Sequence, residues 1–369
     1  MSIVLLFVLG LALLLLGAEA LVSGARRLAL RMGVSATVIG LTVVAFGTSA
    51  PELVVSLRAA VAGSAEIAVG NVVGSNLFNV LVILGLAATI TPLRIENQLI
   101  RIDVPLMIGV SAVTWWLVAD GSFGRWEGAV FVNAIIAYTI VVIRQSRRAH
   151  HVARAHTGQS ADRPEGSSLL WFTLSLVVVG LGGLTVGADL LVRGSTALAF
   201  QLGISELVVA LTIVAAGTSM PEVATSVVAV FRGEREIAVS NVIGSNLFNL
   251  LAVLGASGLT SAAGIRIPDI AIRFDFAVMV VVAALCLPVF FKLTMTRWEG
   301  VLFLSYYACY TIYVVLTATQ HAIQPTFVQL MIVCIPISLA GVALHAAAVV
   351  RRQRKHNLRF PIGTPRETP

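Results

Sequence analysis

The segment GLTVVAFGTSAPELVVS, residues 40–56, returns as ALTIVAAGTSMPEVATS, residues 210–226. The same displacement, 170 residues from Gly40 to Ala210, aligns EIAVGNVVGSNLFNVLVILG from Glu66 with EIAVSNVIGSNLFNLLAVLG from Glu236. It also aligns GAEALVSGARRLA from Gly17 with GADLLVRGSTALA from Gly187. Three blocks matched at one displacement are an internal duplication, and the duplicated unit decides the architecture.

Each copy is embedded in apolar sequence. Of 369 residues, 58% are hydrophobic and 12% charged, and the mean hydropathy is +0.95. That balance lies far from a soluble domain and makes lipid the main solvent. Crossing the hydrocarbon takes about 20 mostly apolar residues. Windows of that kind fall at 3–24, 34–60, 66–90, 102–119, 126–143, 169–192, 204–231, 237–259, 274–291, 298–319 and 327–350. The first has no basic leader and carries Glu19, so it reads as a retained span rather than a signal peptide.

Five spans separate equivalent positions of the two copies. An odd number means that the second copy enters the membrane from the opposite side, so the repeats are inverted, a construction typical of secondary transporters. The expected fold is an all-α polytopic membrane protein of two inverted five-helix repeats plus one extra C-terminal helix. Its divisions fall at 1–143 (first repeat), 144–168 (a polar, basic linker), 169–319 (second repeat) and 320–369 (the eleventh helix and a basic tail).

Lys and Arg near span ends stay on the cytoplasmic side. With the N-terminus outside and the C-terminus inside, all 25 basic residues except Arg58, Arg125, Arg193, Arg266 and Arg273 fall on the inside. Membrane topology therefore accounts for the net charge of +7, and a nucleic-acid partner is not implied. Localisation in a cell inner (plasma) membrane follows, with no obligatory protein partner indicated. Cys286, Cys309 and Cys334 lie in late apolar windows without metal-type spacing, and His150, His151 and His156 sit in the linker without a Cys or carboxylate partner.

The chemistry lies in the duplicated motifs. An ionised carboxylate at membrane depth is costly and marks a functional site, and Glu52 and Glu222 are such carboxylates. Each follows Gly-Thr-Ser-x-Pro, where the proline removes a helix hydrogen bond and should break or kink the helix. The break is expected to free upstream carbonyls, notably those of Ala45 and Ala215, at a place where irregular backbone must line a cavity. Thr48 and Ser49 share a helical face with Glu52, as Thr218 and Ser219 do with Glu222. On the neighbouring helices Asn71, Ser75 and Asn79 recur at steps of four, matched by Asn241, Ser245 and Asn249. Oxygen ligands with two negative charges suit Ca²⁺ or Na⁺ rather than zinc or copper. Glu19 and Asp189, also repeat-related, stand beside arginines and read as pairing or packing residues before ion ligands.

The blocks GTSAPE with GNVVGSNLFN, and GTSMPE with SNVIGSNLFN, resemble the two α-repeats of the calcium/cation antiporter superfamily, in its sodium/calcium exchanger branch with prokaryotic members. The resemblance covers the first ten spans. It implies a central Ca²⁺ held by Glu52, Glu222, Thr48 and Thr218, with Ser49, Ser75, Ser219, Ser245 and the carbonyls of Ala45 and Ala215 lining sodium sites. It also implies no cofactor, since Ca²⁺ and Na⁺ are the transported ions, and long first and sixth helices that slide against the core. Exchangers of this branch commonly carry an acid at one of the positions held here by Asn79 and Asn249. Asparagine at both leaves a proton-coupled cation antiporter as the alternative. An intramembrane enzyme is disfavoured, because no HExxH or GxSxG occurs and a duplicated site is odd for one active centre.

Overall fold

In lipid each backbone N–H and C=O must find its partner within the chain, so apolar runs of this length fold as helices. The structure, a computed structural model, describes residues 3–157, 167–201, 215–261 and 264–359. The first repeat holds α1 (Ile3–Met32), α2 (Ala36–Thr48), α3 (Ala50–Val61), α4 (Ile67–Ile90), α5 (Leu99–Asp120) and α6 (Arg125–Thr157). The second holds α7 (Ser167–Gln201), the single turn α8 (Ala215–Gly217), α9 (Met220–Phe231), α10 (Arg235–Thr260), α11 (Ala271–Phe290) and α12 (Arg297–Ala318), and α13 (Gln324–Arg359) follows.

Nine of the described helices are long and apolar enough to span a bilayer, and α2 with α3 forms a tenth span bent by 46°. The seventh expected span, 204–231, is described only from Ala215, and its first half lies outside the described residues.

The inversion is visible where α1 meets α7. A Cβ on Gly10 would press on Gly187 and Leu191, one on Gly17 on Gly180 and Leu184, and one on Gly24 on Leu176 and Val177. Partner numbers fall as α1 numbers rise, so these repeat-equivalent helices run antiparallel. A Cβ at Gly17 would stand 2.7 Å from the Leu184 backbone nitrogen, and one at Gly180 2.6 Å from that of Leu21. Only glycine permits two backbones that close, and small residues are the usual solution between helices in lipid.

The centre is formed by α4 and α10, whose apolar windows are 72% and 94% buried, against 6% for α12 and α13, which face lipid. Two short ladders clip the repeats together at the ends. β1 (Leu93–Arg94) pairs antiparallel with β4 (Thr294–Met295), and β2 (Ser122–Phe123) with β3 (Ile265–Arg266). Gly63 and Gly233, at φ +76° and +79°, end α3 and α9 in the left-handed conformation that glycine adopts without strain.

Two features go beyond the sequence reading. Residues 144–157, the first part of the polar linker, continue α6 as one helix from Arg125 to Thr157. Once α6 is nucleated, a polar run without Gly or Pro propagates it beyond the bilayer. The helices are also not uniformly α: π-helical turns occupy 40–44, 79–84, 99–103, 249–254 and 271–275.

Candidate ion-binding site

Pro51 and Pro221 each sit in the first turn of a helix, α3 and α9. Ser49 and Ser219 precede those helices at φ −82°, ψ 8° and φ −89°, ψ 8°, outside the helical range. Pro51 has no N–H to offer the Gly47 carbonyl, so the break falls at Ser49. The carbonyl expected to be freed, that of Ala45, remains in the helical ladder. It accepts the Ser49 N–H at 3.0 Å. Proline deprives the carbonyl four residues before it, and for Pro51 that is Gly47. Ala215 opens the turn of α8 just upstream of the second break.

The break places Glu52 and Glu222 in the first turns of α3 and α9, where the helix dipole favours negative charge. Both are fully buried. The Ser49 hydroxyl donates to Glu222 Oε1 at 2.9 Å, and the Ser219 hydroxyl donates to Glu52 Oε1 at 2.9 Å. Each repeat therefore supplies the donor for the other repeat's carboxylate. The second oxygen of each, Glu52 Oε2 and Glu222 Oε2, is buried with no hydrogen-bond partner. Ser75 lies beside Glu52, and Ser245 and Thr48 beside Glu222.

A ring of amides braces this pair. Asn71 donates to Ser56 Oγ at 2.8 Å and to the Glu52 carbonyl at 3.1 Å, and accepts from Thr218 at 3.3 Å. Asn241 donates to Ser226 Oγ at 3.2 Å and accepts from Thr48 at 3.4 Å. Asn71 and Asn241 are thus committed to holding the broken helices. By contrast Ser75 Oγ, Ser245 Oγ and both side-chain polar atoms of Asn79 and Asn249 are buried without partners. Asn79 and Asn249 each begin a π-helical segment, a feature that often marks functional sites.

Orphaned polar atoms cost roughly 1–3 kcal/mol each, more when charged. Their concentration around two buried carboxylates is a donor set for a hard cation, which would take up oxygens that nothing in the protein satisfies. Among the described residues no group of three or more His, Cys, Asp or Glu side chains converges. Glu19 instead pairs with Arg232, and Asp189 with Arg193 at 2.8 Å in its own helix.

Several residues escaped the sequence reading. Ser56 and Ser226 recur in both copies four residues after the glutamates, a signal that was available. The Tyr138 hydroxyl donates to Asp103 at 2.9 Å and that of Tyr310 to Asp275 at 3.0 Å. These repeat-equivalent contacts link helices that no local pattern joins.

Inverted repeats, a pair of broken helices and a buried oxygen cluster define a polytopic helical transporter. Comparison with known proteins gives the family. The sodium/calcium exchanger protein family matches residues 2–144 and 172–316. The chain is 37% identical over 288 residues to the putative antiporter CaxA of Alkalimonas amylolytica, covering 78% of this chain and 90% of that protein. It is 32% identical over 346 residues to the sodium/calcium exchanger MaX1 of Methanosarcina acetivorans, covering 84% and 97%. Among solved structures, the sodium-calcium exchanger NCX_Mj soaked with 10 mM Na⁺ and zero Ca²⁺ superposes with a TM-score of 0.72 at 29% identity, covering 86% of this chain and 98% of that one. The chain belongs to the sodium/calcium exchanger family and is a membrane cation antiporter, not an enzyme.

Proposed function

We propose that this protein exchanges Na⁺ for Ca²⁺ by alternating access, with both ions competing for one oxygen cluster. The observation that carries the reading is the crossed serine–glutamate pair. It leaves Glu52 Oε2 and Glu222 Oε2 buried, unpartnered and backed by two further serines and two asparagines. Two carboxylates neutralise one Ca²⁺. Glu52, Glu222, Thr48 and Thr218 form the divalent site in this reading, and Ser49, Ser75, Ser219, Ser245, Asn79, Asn249 and the carbonyl of Ala215 serve Na⁺, whereas the Ala45 carbonyl is taken up by the Ser49 N–H.

Obligatory exchange follows from electrostatics. Carrying two uncompensated carboxylates through a low-dielectric barrier is too costly, so only the loaded cluster crosses. Residues 1–143 and 169–319 act as the two inverted units, with α1 and α7 moving against a core of α2–α4 and α8–α10. The N-terminus lies outside and the C-terminus in the cytoplasm. In support, the arginine-rich ends assigned to one face do meet: Arg26 pairs with Glu234 and Arg235 donates to the Pro92 carbonyl.

The test is ⁴⁵Ca²⁺ uptake into proteoliposomes loaded with Na⁺ and diluted into Na⁺-free buffer, for the native chain, Glu52→Gln and Glu222→Gln. Uptake by the native chain alone supports the proposal. Native uptake that follows a proton gradient and ignores Na⁺ would replace sodium with protons, a coupling compatible with amides at both 79 and 249.

A further inference from the structure

The two repeats are alike at the site and unlike at their rims. Glu19 on α1 is bonded by Arg232, which lies just beyond the end of α9, and Arg26, seven residues further along α1, pairs with Glu234 at 3.0 Å. Both pairs join the first repeat to the second at one membrane face, where α1 packs along α9.

The duplication predicts a matching pair at the opposite face, between α7 and the end of α3, and the sequence cannot build it. Arg232 corresponds to Ala62, Glu234 to Ser64 and Arg26 to Thr196. The counterpart of Glu19 is Asp189, which turns to Arg193 within its own helix. Accordingly α7 makes no extended contact with α3, although α1 makes one with α9.

We propose that Glu19, Arg232, Arg26 and Glu234 are positioning residues that latch α1 to α9 and bias the transporter toward the conformer closed at that face. Under the charge-derived topology this face is cytoplasmic, so the latch favours the site opening outward. The inference rests on the alternating-access reading above and adds to it a built-in asymmetry between the two half-cycles. All four are engaged in ion pairs away from the Glu52–Glu222 cluster, so their effect passes through the position of α1. Such partly exposed pairs are individually weak, so releasing one should change the balance of conformers by up to about fivefold.

Val22 lies between Glu19 and Arg26 on the same side of α1 and is 2% exposed. The test places a cysteine there (Val22→Cys) in a Cys286→Ala, Cys309→Ala, Cys334→Ala background of the full chain in nanodiscs. Its modification by a membrane-impermeant maleimide is timed with and without Arg232→Glu, Glu19→Arg and the two together. A second probe, Val192→Cys, stands at the equivalent position of α7.

Either single reversal should speed labelling at position 22 several-fold and slow it at 192, and the double exchange should restore both. Arg232→Lys, which keeps the charge, should leave both rates near native, and Arg232→Gln replaces Arg232→Glu if the reversal does not yield folded protein. Equal rates at position 22 in native and reversed chains, or a single reversal that is not rescued by its partner, overturn the latch. Labelling needs no ion gradient, so these outcomes are separable from a failure of Na⁺/Ca²⁺ exchange, which ⁴⁵Ca²⁺ flux in the same background reports.

Discussion

Ser49 donates to Glu222 Oε1 at 2.9 Å across 173 residues of sequence, so the candidate ion site is assembled between repeats and not within either. Its mirror, Ser219 to Glu52, has the same length. The two glutamates cannot part from each other's motif without breaking hydrogen bonds to charge, which contribute roughly 1.5–3 kcal/mol each.

The wiring can be read by double-mutant cycles. Ser49→Ala should raise the half-saturating Ca²⁺ concentration by about tenfold, the scale of one charge-assisted hydrogen bond. Ser219→Ala should do the same, because the pair is symmetric. Combined with Glu222→Gln, Ser49→Ala should have little further effect on Ca²⁺ binding measured by calorimetry, whereas with Glu52→Gln the two effects should add. The reverse pattern would show that each serine serves its own repeat.

Asn79 and Asn249 begin their π-helical segments with unpartnered amides. Asn79→Asp adds a carboxylate to a cluster that already holds two. We expect tighter Ca²⁺ binding and a changed dependence of flux on membrane potential, since the loaded site then carries one less positive charge. Potential-clamped flux in K⁺/valinomycin-loaded vesicles measures it, and an unchanged voltage dependence would place residue 79 outside the transported charge.

Pro51 and Ser49 produce the 46° bend between α2 and α3. Pro51→Ala returns an N–H to the Gly47 carbonyl and favours a continuous helix. The variant should fold, gain thermal stability in detergent and lose at least tenfold in exchange rate, with Pro221→Ala behaving alike. Unimpaired flux in a stabilised Pro51→Ala chain would remove the bend from the mechanism.

Lys292 and Glu299 form an ion pair with side chains 3% and 1% exposed, and Glu299 Oε2 also accepts the Thr296 N–H at 2.8 Å in a capping box at the start of α12. Removing one partner leaves a buried charge, so Lys292→Met should cost about 3–5 kcal/mol. Thermal unfolding in detergent reports this as a fall in the midpoint, and Lys292→Met with Glu299→Gln should recover part of it. The first repeat has no such pair, since Asp120 stands where Lys292 does and accepts from Ser122 at 2.9 Å.

Much of this protein was legible in one dimension. Lipid demands helices of a minimum length, so composition alone marks the spans. The parity of five spans between GTSAPE and GTSMPE dictates inversion, and the antiparallel meeting of α1 with α7 through Gly17 and Gly180 is its consequence in space. The cost of a carboxylate at membrane depth singles out Glu52 and Glu222 before any coordinate is known.

Tertiary structure alone decided who partners whom. Helical spacing puts Ser49 on the face of Glu52, yet the break at Ser49 turns its hydroxyl to the other repeat's carboxylate. That choice depends on the packing of helices far apart in sequence. The π-helical turns at Asn79 and Asn249 and the continuation of α6 through residue 157 were equally hidden. A π turn differs from an α turn only in hydrogen-bond register, and a polar helix beyond the bilayer has no apolar period to announce it. The partition of Glu19 to Arg232 and of Asp189 to Arg193 was decided last, by which arginine the folded chain brought within reach.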